Sequence, residues 1–131
     1  MDTQKNLKIL IVDDDTFLLN MYSVKFTKNN FEVTTSVNSQ DVLEKLKNGY
    51  VPDIILLDIV MPGMDGLQLL EKIRKENLLP NATTIMLTNQ SDTGDIDRAK
   101  SLGINGYIVK ATTIPSEVIS EVNEIHKKAH S

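Results

Sequence analysis

Six polar residues of this chain stand where apolar runs stop. Asp13, Asp14 and Asp15 follow Lys8-Ile9-Leu10-Ile11-Val12. Asp58 follows Ile54-Ile55-Leu56-Leu57, Thr88 closes Thr83–Thr88, and Lys110 follows Gly106–Val109. If these runs are neighbouring strands of one parallel sheet, acids, a hydroxyl and an ammonium gather at one edge. Two like charges ~4–5 Å apart repel by roughly 3–4 kcal/mol at an effective dielectric of ~20. Clustered carboxylates therefore need a cation or raised pKa values. One lysine is too little, and a divalent ion with oxygen ligands offsets the rest. With no cysteine in the chain and no histidine near these residues, hard Mg²⁺ fits better than zinc. A carboxylate beside Mg²⁺ can act as a nucleophile toward phosphorus. The metal and an ammonium would stabilise the equatorial oxygens of the transferring group, and a threonine hydroxyl can donate to the product phosphoryl.

The elements that must position these groups are legible as alternating patterns. Lys8–Val12, Phe31–Thr35, Asp53–Asp58, Thr83–Thr88 and Gly106–Val109 read as strands. The first and third are continuous apolar runs, as expected of strands buried on both faces. Thr16–Lys28 reads as a helix with Phe17, Leu18, Met21 and Val24 inward, and Asp15 or Thr16 as its cap. Gln40–Lys47, capped from Asn38-Ser39, puts Val42, Leu43 and Leu46 inward. Leu67–Lys75 follows a Pro- and Gly-containing loop, with Leu67, Leu70 and Ile73 inward and Asp65-Gly66 as cap and turn. Ser91–Leu102 is a helix of low apolar content, and Pro115–Lys128 carries Val118, Val122 and Ile125 on one stripe. Strand and helix alternate five times. That predicts an α/β fold, a doubly wound parallel sheet with right-handed crossovers. Ligands of such sheets sit at the carboxyl ends of the strands, near a topological switch point.

Composition narrows the classes. The chain has 131 residues, 40% apolar, and a formal net charge of −4 with few aromatics. One domain over residues 1–131, with a core of about 7–128, is expected. The acidic balance argues against a nucleic-acid face. No apolar run reaches the roughly 18 residues of a membrane span, and the polar start, Met1–Asn6, lacks a signal-peptide apolar region. A cytoplasmic protein with no membrane partner is expected. His126 and His130, beside Lys127-Lys128, read as solvated surface residues of a fraying end.

Four segments in order carry a resemblance: Ile-Val-Asp13-Asp14-Asp15, Leu-Leu-Asp58-Ile-Val-Met-Pro62-Gly-Met-Asp65-Gly66, Met-Leu-Thr88, and Gly106-Tyr107-Ile-Val-Lys110. Each is weak alone. Together, at successive strand ends and over nearly the whole chain, they resemble the response-regulator receiver family of two-component signalling, in its stand-alone form. The resemblance implies a five-stranded flavodoxin-like sheet in the order 2-1-3-4-5. It implies that Asp58 accepts a phosphoryl group from the phosphohistidine of a sensor kinase or phosphotransfer protein. Asp14, Asp58 and the Val60 backbone carbonyl would bind Mg²⁺ directly, and Asp13 through water. Lys110 and Thr88 would contact the phosphoryl oxygens. Thr88 and Tyr107 would form a switch pair that reshapes the face of the fourth helix, fifth strand and fifth helix for a downstream protein. The chain would be a monomer, or a weak dimer formed on phosphorylation. It would be no enzyme beyond its own phosphorylation and dephosphorylation.

Three departures from the family pattern stand out. Lys110-Ala111 replaces the usual Lys-Pro with its cis bond; a non-proline cis bond costs ~3 kcal/mol, so a trans bond is expected, with Lys110 still reaching the acids. Asn89 follows Thr88 where a small residue is usual. Val60 and Gln90 occupy the positions that tune phosphoryl hydrolysis in the family. Three other functions compete. An aspartate-nucleophile phosphatase of the haloacid-dehalogenase class needs two aspartates one residue apart, which Asp13 and Asp15 supply, but Phe17 occupies the place of its third residue. A receiver-like interaction module without phosphorylation would keep only the fold. A flavin carrier would meet repulsion between its phosphate and the strand-end acids.

Overall fold

The computed structural model describes residues 6–88, 93–110 and 113–130. Five strands and five helices alternate: β1 Lys8–Val12, α1 Thr16–Lys28, β2 Glu32–Ser36, α2 Ser39–Lys47, β3 Ile54–Asp58, α3 Gly66–Lys75, β4 Thr83–Thr88, α4 Thr93–Ser101, β5 Gly106–Val109 and α5 Pro115–Ala129. The strands form one parallel sheet in the order β2-β1-β3-β4-β5. The expected architecture and strand order are therefore observed.

Side-chain alternation along each strand feeds two separate cores. Leu10 and Val12 of β1, Ile55 and Leu57 of β3 and Met86 of β4 face α2, α3 and α4. Ile9 and Ile11, Ile54 and Leu56, and Ile85 and Leu87 face α1 and α5. This period of two on a sheet covered on both sides explains why the central strands read as unbroken apolar runs.

The structure corrects the inner face of α1. Leu19, Tyr22 and Phe26 are buried, whereas Phe17 and Val24 are 76% and 53% exposed. The Asp15 carboxylate caps the helix by accepting from Phe17 N and Leu18 N, which fixes where the first turn begins. The stripe then falls on Leu19, Tyr22 and Phe26, with Phe26 edge-on to Phe31. β2 lies one residue later than expected, and α2 begins one residue earlier but ends at Lys47 as expected. The helix start expected at Ser91 lies outside the described residues, as do Asn89, Gln90 and Ala111 of the Lys110-Ala111 bond; the described helix, α4, begins at Thr93.

His126 departs from its expected solvation. Its Nδ1 lies 2.7 Å from Thr83 Oγ1, and His130 Nε2 lies 3.2 Å from the same atom. Burial pulls the His126 pKa below its ordinary value, with the neighbouring His130 adding to the effect and Asp53 opposing it.

Candidate functional site

The carboxyl ends of β1, β3 and β4 and the residue after β5 bring the polar groups together. Carboxylate oxygens of Asp13, Asp14 and Asp58 lie within 4.8 Å of one another. Asp13 and Asp58 are buried and Asp14 is exposed, so the cluster has one open side. Lys110 reaches in from the end of β5. Its Nζ donates to Asp13 Oδ2 at 2.9 Å and lies 3.4 Å from Asp58 Oδ2, with only 8% of its side chain exposed. Thr88 is buried at the end of β4, one residue beyond the Asp58–Leu87 register pair.

The three consecutive aspartates divide their tasks. Asp13 Oδ1 accepts from Asp15 N at 2.9 Å, which leaves Oδ2 for Lys110. Asp15 is occupied as the α1 cap. Only Asp14 keeps its carboxylate at the open side of the cluster. An Asp13/Asp15 pair of the phosphatase type is therefore not formed.

Electrostatics follow from burial. Desolvation raises the Asp58 pKa from 3.8 to about 6; the Lys110 charge opposes this and the Asp13 charge adds to it. Burial alone would lower the Lys110 pKa, but its hydrogen bond to Asp13 and the charges of Asp58 and Asp13 outweigh that and raise it. Three carboxylates against one ammonium leave a net negative cluster, and an all-oxygen donor set with an open side suits a hard dication. The residues present therefore fit Mg²⁺.

Local geometry holds Asp58 firmly. Ile59 N donates to Leu87 O at 3.2 Å, which extends the β3–β4 pairing past the acid. Gly66 N then donates to Ile59 O at 2.7 Å, bringing the start of α3 back over the strand. A Cβ at Gly66 would sit 2.2 Å from the Asp58 carbonyl oxygen. Only glycine permits this approach, and the sequence reading, which assigned Gly66 to a turn, missed it. Asp65 and Gln68 form a reciprocal capping box at the same helix start.

Of the two switch candidates, Thr88 is buried at the acidic rim and Tyr107 lies at the surface. Tyr107 is 38% exposed, with Lys100 Nζ 5.8 Å from its ring centroid. It lines an open cleft with Lys100, Ile104, Glu121 and Ile125 on the face of α4, β5 and α5. Val60 is 67% exposed beside Asp58. Arg74, which the sequence reading passed over, ties α3 to the α4–β5 turn by donating to Leu102 O, Leu79 O, Gly103 O and Thr84 Oγ1. Among the described residues, no helix is long and apolar enough to cross a membrane.

Comparison with known proteins agrees with this geometry. The family model described as "Response regulator receiver domain" matches residues 9–123. The response regulator ArlR of Staphylococcus aureus is 33% identical over 121 residues, covering 92% of this chain and 53% of the relative. The chain thus spans about half the length of the curated relatives it matches. A CheY-like response regulator receiver domain protein from Methanospirillum hungatei superposes with a TM-score of 0.85 at 28% identity, covering 96% of this chain and 98% of that one. The receiver domain of a Francisella response regulator superposes with a TM-score of 0.80 at 31% identity, covering 94% and 98%. Matching fold, matching sequence and an acidic rim closed by a lysine lead to one conclusion: this chain belongs to the response regulator receiver domain family, whose members are phosphorylation-dependent signalling switches.

Proposed function

We propose that the chain switches state by taking a phosphoryl group onto Asp58. The observation that carries this reading is the contact of one buried ammonium, Lys110, with two of three clustered carboxylates. Asp14, Asp58 and the Val60 carbonyl would hold Mg²⁺ directly, and Asp13 through water. When bound, the ion neutralises the acids and the negative oxygens of the incoming group.

The residues of the chain then divide the work. An Asp58 carboxylate oxygen attacks phosphorus and forms the acyl phosphate bond. The bond from phosphorus to the donor imidazole nitrogen breaks, and the imidazole leaves with the electron pair and takes up a proton. Lys110, held between Asp13 and Asp58, stabilises the equatorial oxygens. The Thr88 hydroxyl donates to the product phosphoryl. Its movement lets Tyr107 turn inward from its exposed position, which alters the α4-β5-α5 face for a downstream protein.

A histidine kinase or phosphotransfer protein is the donor in this reading. Phe17, Val60 and Ile114 are large exposed apolar residues within four positions of Asp15, Asp58 and Lys110. They offer an apolar surround for a docked partner. A cytoplasmic setting goes with such a donor. Autophosphorylation and its reversal are the only chemistry assigned. Mass spectrometry after incubation with acetyl phosphate and Mg²⁺ tests the reading. A gain of one phosphoryl, lost with EDTA and in Asp58→Asn, is expected. A wild-type chain that stays unmodified sinks it and favours a receiver-like interaction module.

A further inference from the structure

The only two histidines of the chain lie at the other end of the sheet from Asp58. Thr83 opens β4, whereas Asp58 and Thr88 close their strands. His126 lies in the last turn of α5 and His130 is its C-cap residue, four positions later. Their rings lie 4.4 Å apart between centroids. His126 Nδ1 and His130 Nε2 converge on a single atom, Thr83 Oγ1, at 2.7 and 3.2 Å. Thr83 is buried, His126 half-buried and His130 exposed. An open cleft of about 410 Å³, lined in part by Thr83, Ala129 and His130, gives access from solvent.

We propose that His126 Nδ1, His130 Nε2 and Thr83 Oγ1 form a binding site for a borderline divalent transition ion such as Zn²⁺, at the rim opposite the phosphoacceptor. Metal–nitrogen bonds of ~2.0–2.1 Å in a tetrahedral site place ligand atoms ~3.3 Å from one another. The His130–Thr83 separation already matches. The His126–Thr83 separation must open by roughly half an ångström, which a small rotation of the ring supplies. Water completes the shell from the exposed side.

Without the ion, the same groups remain satisfied. The threonine hydroxyl has one proton, so it donates to one ring nitrogen and accepts from the other ring's N–H. The site is therefore preformed. Its nitrogen donors select against Mg²⁺, just as the oxygen donors around Asp58 select for it. The two rims thus take different ions, and an ion here fastens the end of α5 to the base of β4.

Calorimetric titration of Zn²⁺ into the full chain, with Mg²⁺ in excess to fill the acidic rim, tests this alongside imidazole ¹H–¹⁵N NMR. One zinc equivalent and movement of both imidazole resonances are expected. His126→Asn and His130→Gln keep a hydrogen-bond partner for Thr83 but lose the imidazole, and each should weaken binding by about tenfold or more. Acetyl phosphate labelling of Asp58 should persist in both, which also reports that they fold. Zinc uptake unchanged in the double variant would assign the ion to the acidic rim and overturn the proposal. Weakening in only one of the two variants overturns the shared site. So does a wild-type titration in which the imidazole resonances stay still, a result that needs no variant.

Discussion

Lys110 sits closer to Asp13 than to Asp58, at 2.9 against 3.4 Å. The ammonium is thus anchored on Asp13, within reach of Asp58, the proposed nucleophile. It also competes with any dication for the same carboxylates. Lys110→Ala should therefore tighten Mg²⁺ binding several-fold while slowing acetyl phosphate labelling by about tenfold or more. Calorimetry and mass spectrometry on the same preparation check both signs; weaker Mg²⁺ binding would show that Lys110 holds the acids in place.

Asp58→Asn removes a charge from a crowded, buried cluster. Beyond abolishing labelling, it should stabilise the metal-free protein by on the order of 1–2 kcal/mol. Thermal melts in EDTA read this directly. A lower melting temperature would mean that Asp58 contributes more through Lys110 than it costs through burial.

The pH dependence has a definite sign. Burial raises the Asp58 pKa in the folded protein from 3.8 to about 6. Between those values the folded chain holds a proton that the unfolded chain has released. Through this group, the stability of the metal-free protein should fall as pH rises from about 4 to about 6 and then level off. Mg²⁺, which favours the charged carboxylate, should flatten the slope. Denaturant midpoints across this range, with EDTA or with Mg²⁺, provide the comparison.

Gly66→Ala should be severe. The added methyl would meet the Asp58 carbonyl oxygen at 2.2 Å, so the start of α3 or the end of β3 must move. A loss of ~2–4 kcal/mol in stability is expected, together with slower labelling of Asp58. Chemical denaturation and acetyl phosphate labelling measure the two effects. An unchanged midpoint would show that α3 shifts freely.

Val60 is exposed beside Asp58, the proposed phosphoacceptor, and presents no polar atom in its side chain. Val60→Gln supplies a group that can orient water. It should shorten the phosphoryl lifetime several-fold, followed as loss of the labelled mass over time. An unaltered decay would remove Val60 from the control of hydrolysis.

The sequence revealed the sheet and the acidic rim because both rest on local signals. Apolar runs ending in Asp13, Asp58, Thr88 and Lys110 mark strand ends, and a parallel sheet carries all those ends to one side. The inner face of α1 was less legible: Phe17 and Leu18 compete with Leu19, Tyr22 and Phe26 for the stripe, and capping geometry decides. The role of Gly66 depends on a backbone approach from another element, which no spacing records. The four-residue interval between His126 and His130 was visible, but Thr83, the atom on which they converge, is distant in sequence.

The bond from Gly66 N to Ile59 O closes residues 60–65 into a handle whose two ends are fixed. The handle is also pinned from within, since Met61 is buried and the Met64 carbonyl accepts from Ser39 Oγ at 2.7 Å. A loop this short tolerates little change of length. Variation is thus confined to its outward side chains, such as Val60, which can be exchanged while the backbone around Asp58 keeps its course.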